Sequence, residues 1–254
     1  MPAERILGAL IINIRMEVCP YQGVPMTLQT ILDPTVISSL TTAFLSFCLS
    51  TYLYFLWRKQ ENRLYTDLPL MFSIIFISSA VSQVLQALPL LGLIGDSVEM
   101  FRIRAFVVLV MVIPMVVVLL SILAPRWRKH HNKITAASAM YWIAATFLGT
   151  SREQIMTMVI PFLLVLMVGW LVMFTITWKT GRLKEVRSDL MVFATILSII
   201  SQGGKVAMMA MGIGFVADII TAISVITYTV AMVNPWYKRE QATAHAVEVA
   251  TAAY

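Results

Sequence analysis

The chain has 254 residues, of which 59% are hydrophobic and only 13% are charged, and its formal net charge is +6. An ordinary soluble protein carries about 25% charged residues, and a water-soluble core does not need this much apolar material. The composition therefore excludes an ordinary soluble domain. It predicts a multi-pass protein of the cell membrane, with the lipid bilayer as its main surroundings.

Seven apolar runs approach the roughly 20 residues that a helix needs to cross the hydrocarbon core. In chain order they are Ile31 to Trp57, Leu68 to Leu93, Phe101 to Leu123, Ile134 to Gly149, Ile155 to Trp178, Leu190 to Gly212 and Phe215 to Pro235. The fourth is the shortest, and its Ala and Ser content is typical of a helix packed closely by its neighbours. We therefore expect an all-α, seven-helix membrane bundle over residues 31–237. An extracytoplasmic segment of residues 1–30 precedes it, and a short cytoplasmic tail of residues 238–254 follows it.

The positions of the basic residues predict the orientation of these spans. They concentrate after the first, third, fifth and seventh spans, at Arg58, Lys59, Arg63, Arg126, Arg128, Lys129, Lys133, Lys179, Arg182, Lys184, Arg187, Lys238 and Arg239. The opposite loops hold only Arg102, Arg104 and Arg152. The positive-inside rule then places the N-terminus outside and the C-terminus in the cytoplasm. Because the positive charge lies at helix ends and alternates, it also argues against a nucleic-acid partner.

The second and sixth spans share a pattern of polar residues. Ser79, Ser82, Gln83 and Gln86 in the one, and Ser198, Ser201, Gln202 and Lys205 in the other, follow the spacing i, i+3, i+4, i+7 that places side chains on one helical face. The Trp and basic residues that flank these spans also recur. Two three-helix units in the same orientation, joined by the fourth helix, would explain both observations. Coincidence is the alternative, because boundary Trp, Lys and Arg recur in any membrane protein.

A group of polar and charged side chains is predicted at one depth in the outer half of the bilayer, from a rise of about 1.5 Å per helical residue. These candidate ligand-binding residues are Ser82, Gln83, Gln86, Arg104, Ser201, Gln202, Lys205 and Asp218. A charge at mid-membrane costs about 2.5 to 3.5 kcal/mol, so we expect Lys205 to face inward and pair with Asp218. Two interpretations are open: a polar pocket that binds a small molecule from outside, or an interhelical hydrogen-bond network with Lys205 extending towards the interface.

The residues present argue against a haem site, a retinal site and several common catalytic motifs. All three histidines, His130, His131 and His245, lie outside the predicted spans, so a haem between helices is not expected. The seventh span has no lysine for a retinal Schiff base. No Gly-rich phosphate loop, nucleophile elbow or metalloprotease helix is present. We therefore predict no enzyme activity, no metal site and no cofactor.

A set of architectural features resembles one family. The features are Trp57-Arg58-Lys59 after the first span, Phe101-Arg102-Ile103-Arg104 with Pro114 in the third, the basic loop after the fifth, and Asp218 in the seventh. With these features, residues 32–239 resemble the seven-helix N-terminal sensor region of some membrane histidine kinases. The resemblance implies a ligand-sensing or membrane-sensing module that signals through a protein partner or a homo-oligomer, since this chain carries no kinase.

Two other functions stay open at this point. Sugar transporters of the SWEET and PQ-loop type share the expected topology, but their mid-helix Pro-Gln motifs are absent, since Pro161 precedes Phe162 and Pro34 precedes Thr35. The three hypotheses are therefore a sensor or receptor for a small ligand, a transporter of small solutes, and a non-catalytic subunit of a larger membrane complex.

Overall fold

The computed structural model describes residues 33–60, 64, 67–181 and 186–234, and within these residues the chain is helical and forms no strand. The α-helices are α1 (Pro34–Arg58), α2 (Leu68–Leu90), α3 (Val98–Leu123), α4 (His131–Leu148), α5 (Arg152–Thr180), α6 (Ser188–Ala210) and α7 (Gly214–Val233). A 3-10 helix, Pro125–His130, joins α3 to α4. The prediction of an all-α fold is confirmed. The predicted segments 1–30 and 238–254 lie outside the described residues.

Five of these helices are long and apolar enough to cross a membrane, namely α1, α2, α3, α5 and α7. The other two described helices, α4 and α6, are not among them. Helix α4 has only 18 residues, and α6 carries Asp189 near one end and Lys205 near the other. The five apolar helices are compatible with a multi-pass membrane protein, and the count of seven crossings stays a prediction.

The helix ends follow from local sequence. Three helices begin after a residue whose side chain accepts a hydrogen bond from a backbone N–H of the first turn, namely Asp33 for α1, Ser97 for α3 and Ser151 for α5. Helices α2 and α6 end at Leu90 and Ala210, two or three residues before the predicted ends. The cause is a glycine in the left-handed region just beyond each helix, Gly92 at φ 70° and Gly212 at φ 72°.

Six of the helices form a closed ring in the order α1, α2, α3, α5, α6 and α7, and α7 packs against α1. Consecutive helices run antiparallel, since the bonds of Ser50 with Ser73, Arg104 with Gln86, Trp142 with Ala105 and Tyr228 with Thr195 each join a residue near the start of one helix to one nearer the end of the other. The bonds of Trp170 with Met115 and Ser39 with Asp218 join residues at similar distances from the helix starts, so α5 runs parallel to α3 and α7 parallel to α1. The first residues of α1, α3, α5 and α7 therefore share one end of the bundle with the last residues of α2, α4 and α6. We call this the amino end, and the opposite end the carboxyl end.

Helix α4 lies outside the ring, against α3 and α5. Its buried residues are only Trp142, Ala145 and Thr146, whereas Met140 and Phe147 are exposed. The Ala and Ser content of this helix was expected to reflect close packing by its neighbours, and the helix does pack against α3 and α5, but only along the side that carries these three buried residues. Trp142 makes the contact with α3, where its Nε1 donates to the carbonyl of Ala105, while Ala136, Ala137 and Ala144 are exposed.

Two apolar clusters hold the ring. The first lies in the carboxyl half and includes Leu53, Phe72, Trp170, Met173, Phe174, Met191, Ala194 and Tyr228. The second joins α3, α4 and α5 and includes Leu109, Val112, Trp142, Ile155 and Val159. Neither cluster contains a described side chain of α6 between Ser198 and Ala210. The half of α6 nearest the amino end is instead attached through polar side chains.

Two glycines provide a test of this packing. We expect Gly149→Ala to lower the free energy of unfolding by about 1 to 3 kcal/mol, because a Cβ there would overlap Cγ1 of Ile155 and lie 3.2 Å from the Ile155 nitrogen. The matched variant Gly203→Ala should raise it by about 0.5 to 1 kcal/mol, since its Cβ would meet no atom within 4 Å. Thermal unfolding in detergent measures both changes. Loss of stability in both variants would contradict the described surroundings of Gly203.

Candidate functional site

Lys205 lies at the centre of a polar cluster near the amino end of the ring. Its Nζ is 3.0 Å from Oδ1 of Asp218 on α7 and 3.0 Å from Oε1 of Gln86 on α2. The Oε1 of Gln83 lies 3.5 Å from the same nitrogen. The side chains of Lys205 and Asp218 are 12% and 0% exposed, so the ion pair is buried. The structure thus brings the predicted pair into contact, and the Lys205 side chain connects α6 to α2.

The Asp218 carboxylate is also bonded by α1. Its Oδ2 accepts hydrogen bonds from the hydroxyls of Ser38 at 3.1 Å and Ser39 at 2.8 Å. The hydroxyl of Thr42 donates to the Asp218 backbone oxygen at 3.2 Å. Both carboxylate oxygens therefore have donors, which compensates much of the cost of removing this charge from water.

The three α1 hydroxyls were missed by sequence reasoning. A stripe of buried hydroxyls, comprising Ser39, Thr42, Ser46 and Ser50, runs along α1, and its spacing could have identified the face that meets Asp218. The signal is weak because a Ser or Thr in a helix also satisfies its hydroxyl on its own backbone, as Thr41 and Thr51 do.

Arg104 on α3 completes the cluster. Its Nε donates to the hydroxyl of Ser82 at 3.2 Å, and its Nη2 donates to Oε1 of Gln86 at 2.7 Å. That amide oxygen is the one that Lys205 bonds. Since both cations bond one atom, their nitrogens lie within about 6 Å of each other, a repulsion on the order of 3 kcal/mol at an effective dielectric of 20.

The cluster carries an excess of positive charge. It contains two cations, Arg104 and Lys205, and one carboxylate, Asp218. The ion pairs among the described residues are Arg102 with Glu99, Arg152 with Asp96, Arg187 with Asp189, and Lys205 with Asp218. Arg104 therefore has no ion-pair partner in the described part of the chain. Its hydrogen bonds there go to neutral oxygens, those of Ser82 and Gln86. Neutral oxygens stabilise a positive charge less than a carboxylate would.

A ladder of polar pairs continues from the cluster towards the carboxyl end, between α6 and α7. After Lys205 and Asp218 come Ser201 with Thr221 at 2.6 Å, Ser198 with Ser224 at 2.6 Å, and Thr195 with Tyr228 at 2.9 Å. The ring of Tyr228 lies 5.1 Å from that of Phe72, inside the first apolar cluster. The ladder therefore fixes α6 and α7 in register and connects the charged cluster to the carboxyl-half core.

Of the eight candidate residues, hydrogen bonds bring six together in the cluster, namely Ser82, Gln83, Gln86, Arg104, Lys205 and Asp218, and place Ser201 one turn further along α6 in the ladder. Gln202 is not one of them, because its side chain is exposed. It follows Ser201 by one residue and so points about 100° away around the helix. The contact with α7 selects the edge of the polar face that contains Ser198, Ser201 and Lys205, and it leaves Gln202 outside.

The two glutamines give a matched test of this geometry. We expect Gln86→Leu to lower the free energy of unfolding by about 2 kcal/mol, because the acceptor shared by Arg104 and Lys205 is lost. Gln202→Leu should change it by less than about 0.5 kcal/mol. Denaturant or thermal unfolding of both variants in the same detergent is the measurement. Equal losses in the two would contradict the placement of Gln202 outside the cluster.

The cluster is closely packed, since its polar atoms bond one another. An apolar groove of about 410 Å³ lies elsewhere, between α1 and α2, lined by Leu40, Ala43, Phe44, Phe47, Ile77, Ala80, Val81, Val84 and Leu85. None of these residues belongs to the cluster. A ligand at the cluster would therefore bind by replacing one of its hydrogen bonds.

Comparison with known proteins adds no assignment. No family model matches the chain, and neither a curated protein nor a solved structure matches it significantly. The resemblance to the sensor region of histidine kinases therefore stays an expectation from the sequence.

Proposed function

We propose that the chain is a seven-helix membrane sensor module that binds a small ligand at the cluster of Arg104, Lys205 and Asp218 and signals through a protein partner. The observation that supports this most is the oxygen of Gln86 shared by two cations. Such an arrangement is easily perturbed, because one acceptor serves two charged donors that repel each other. The cluster also connects α1, α2, α3, α6 and α7 at one end of the bundle, so a change there reaches most of the ring.

The proposed orientation has the amino end outside and the carboxyl end in the cytoplasm. It is supported by the basic residues at the end of α1 and just beyond α1 and α3, among them Arg58, Lys59, Arg126 and Arg128. The proposed crossings include α6, since it lies between α5 and α7 in the ring. A short α4 crosses at the edge of the bundle in this arrangement.

Signal transfer would use α6 and α7 as one unit. The hydroxyl ladder joins them along their length, and the backbone N–H of Arg187 donates to the carbonyl of Ala231 at 3.0 Å at the carboxyl end. A ligand that changes the bonds of Lys205 to α2 would shift α6 against α2, and α7 would follow. Small sliding movements of packed helices are a common form of such switches. This coupling favours a sensor over a rigid structural subunit.

The test is ligand-dependent stabilisation of the purified protein in nanodiscs. A panel of amino acids, organic acids, amines and sugars is added to the wild type, to Lys205→Met and to the control Gln202→Leu. We expect at least one compound to raise the melting temperature of the wild type and the control but not of Lys205→Met. Movement of a panel compound into proteoliposomes, abolished by Lys205→Met, would instead identify a transporter. No stabilisation by any compound would overturn the sensor proposal and favour a subunit.

A further inference from the structure

We infer that the ligand group recognised by this cluster is a carboxylate. The inference rests on the proposed function, and it names the chemical class of the ligand that the site would take. The supporting observation is that the Arg104 guanidinium and the Lys205 ammonium both donate a hydrogen bond to the same neutral amide oxygen, Oε1 of Gln86.

The hydrogen bonds of the two cations identify an acceptor position. The Arg104 and Lys205 nitrogens lie 2.7 and 3.0 Å from Oε1 of Gln86, so an acceptor at that point is reached from both sides. A carboxylate offers two oxygens that carry negative charge, and charge-assisted hydrogen bonds are about twice as strong as those to a neutral acceptor. The planar guanidinium also matches a carboxylate with two parallel N–H donors. Replacing the amide by a carboxylate therefore improves the interactions of both cations.

The net positive charge of the cluster favours a ligand with a single negative charge over a dianion, a cation or a neutral molecule. A carboxylate would balance the two cations against two carboxylates. A phosphate dianion would make the total negative and would repel Asp218, whose Oδ1 lies 3.0 Å from Lys205. A cationic ligand would add to a charge that is already in excess. A neutral amide would offer no gain, because Gln86 already supplies that group.

The position of the cluster allows two sources of the carboxylate. Gln86 lies four residues before the last residue of α2, and Arg104 lies six residues after the first residue of α3. At about 1.5 Å per residue, the cluster is some 6 to 9 Å from the amino end. A water-soluble acid could reach it from outside, and a fatty acid could reach it with its chain in the bilayer. The two share the recognised group and differ in the body attached to it.

The experiment uses acids paired with neutral analogues. The full chain in nanodiscs is heated with benzoate or benzamide, and with oleate or oleyl alcohol. We expect a carboxylate to raise the melting temperature by about 5 °C at a concentration near one hundred times its Kd, while its neutral analogue does not. A shift with benzoate would indicate a soluble acid, and a shift with oleate alone would indicate a fatty acid. Either shift should be lost in Arg104→Gln.

A second variant tests the inference without a ligand. Gln86→Glu places a carboxylate on the chain itself between Arg104 and Lys205, so it should raise the melting temperature and remove the response to added acids. The control Gln202→Glu, at an exposed position, should do neither. A lower melting temperature for Gln86→Glu, or a wild type that responds to no carboxylate, would overturn the inference. Stabilisation by neutral compounds that Lys205→Met abolishes would overturn it too, while leaving the proposed sensor function standing.

Discussion

Asp218→Asn should destabilise the protein more than Lys205→Met, although the two substitutions break the same ion pair. Removing one partner of a buried pair costs about 3 to 5 kcal/mol, and we expect Asp218→Asn to lie in that range. The loss for Lys205→Met should be smaller by at least about 1 kcal/mol. Unfolding of the purified variants by denaturant, in one detergent, measures the difference.

The reason for this asymmetry is the charge that remains. Without the Asp218 carboxylate, Arg104 and Lys205 face each other across the oxygen of Gln86 with no anion between them. Without Lys205, the cluster keeps one cation and one carboxylate, and Asp218 retains its bonds from Ser38 and Ser39. The charges of Arg104 and Asp218 then balance, and each side chain still has hydrogen bonds to hydroxyl groups.

A surface ion pair supplies the control for this prediction. Arg152 pairs with Asp96 at the amino end, and the Asp96 side chain is 54% exposed. Asp96→Asn should therefore cost less than about 1 kcal/mol. The double variant of Lys205 and Asp218 should cost less than the two single variants added together, because their side chains are in contact. A loss for Lys205→Met that equals or exceeds that for Asp218→Asn would contradict the excess positive charge of the cluster.

The composition of the candidate site was largely predictable from the sequence because depth along a helix follows from residue counts. Lys205, Asp218, Gln86 and Arg104 each lie within a few turns of the same helix ends, so arithmetic on the rise per residue placed them in one layer. The apolar runs likewise predicted the helices to within a few residues, and the departures at α2 and α6 come from left-handed glycines.

Residue counts do not predict which side of each helix is buried against its neighbours. Gln202 shares the depth of Ser201, and only the contact with α7 decides which of the two is buried. The position of α4 is a similar case, since its Ala and Ser content fits a crowded helix and a peripheral helix equally well. Trp142 of α4 packs against α3, where its Nε1 donates to the carbonyl of Ala105. Both outcomes depend on which helices are neighbours, and a single sequence carries little information on that point.

Trp142→Ala, like Asp218→Asn, should cause a large loss of stability. This loss should be concentrated in α4. The Trp142 side chain is 1% exposed, and its Nε1 donates to the carbonyl of Ala105 on α3 at 2.9 Å. Truncation of a buried Trp typically costs about 3 to 5 kcal/mol. Because α4 packs mainly against α3, α5 and the 3-10 helix among the described elements, we expect faster hydrogen exchange in residues 131–148 before the ring unfolds.

The control for this variant is Trp127→Ala, since Trp127 in the 3-10 helix is 61% exposed and its loss should change the free energy of unfolding by less than about 0.5 kcal/mol. Trp142→Phe keeps an aromatic ring against α3 but removes the indole N–H that bonds Ala105 and part of the buried volume, so its loss should lie between those of the wild type and Trp142→Ala. Since Ala105 follows Arg104 directly, this variant should also loosen the backbone that positions the guanidinium. Unchanged exchange in α4 after Trp142→Ala would mean that α4 is held by contacts other than this side chain.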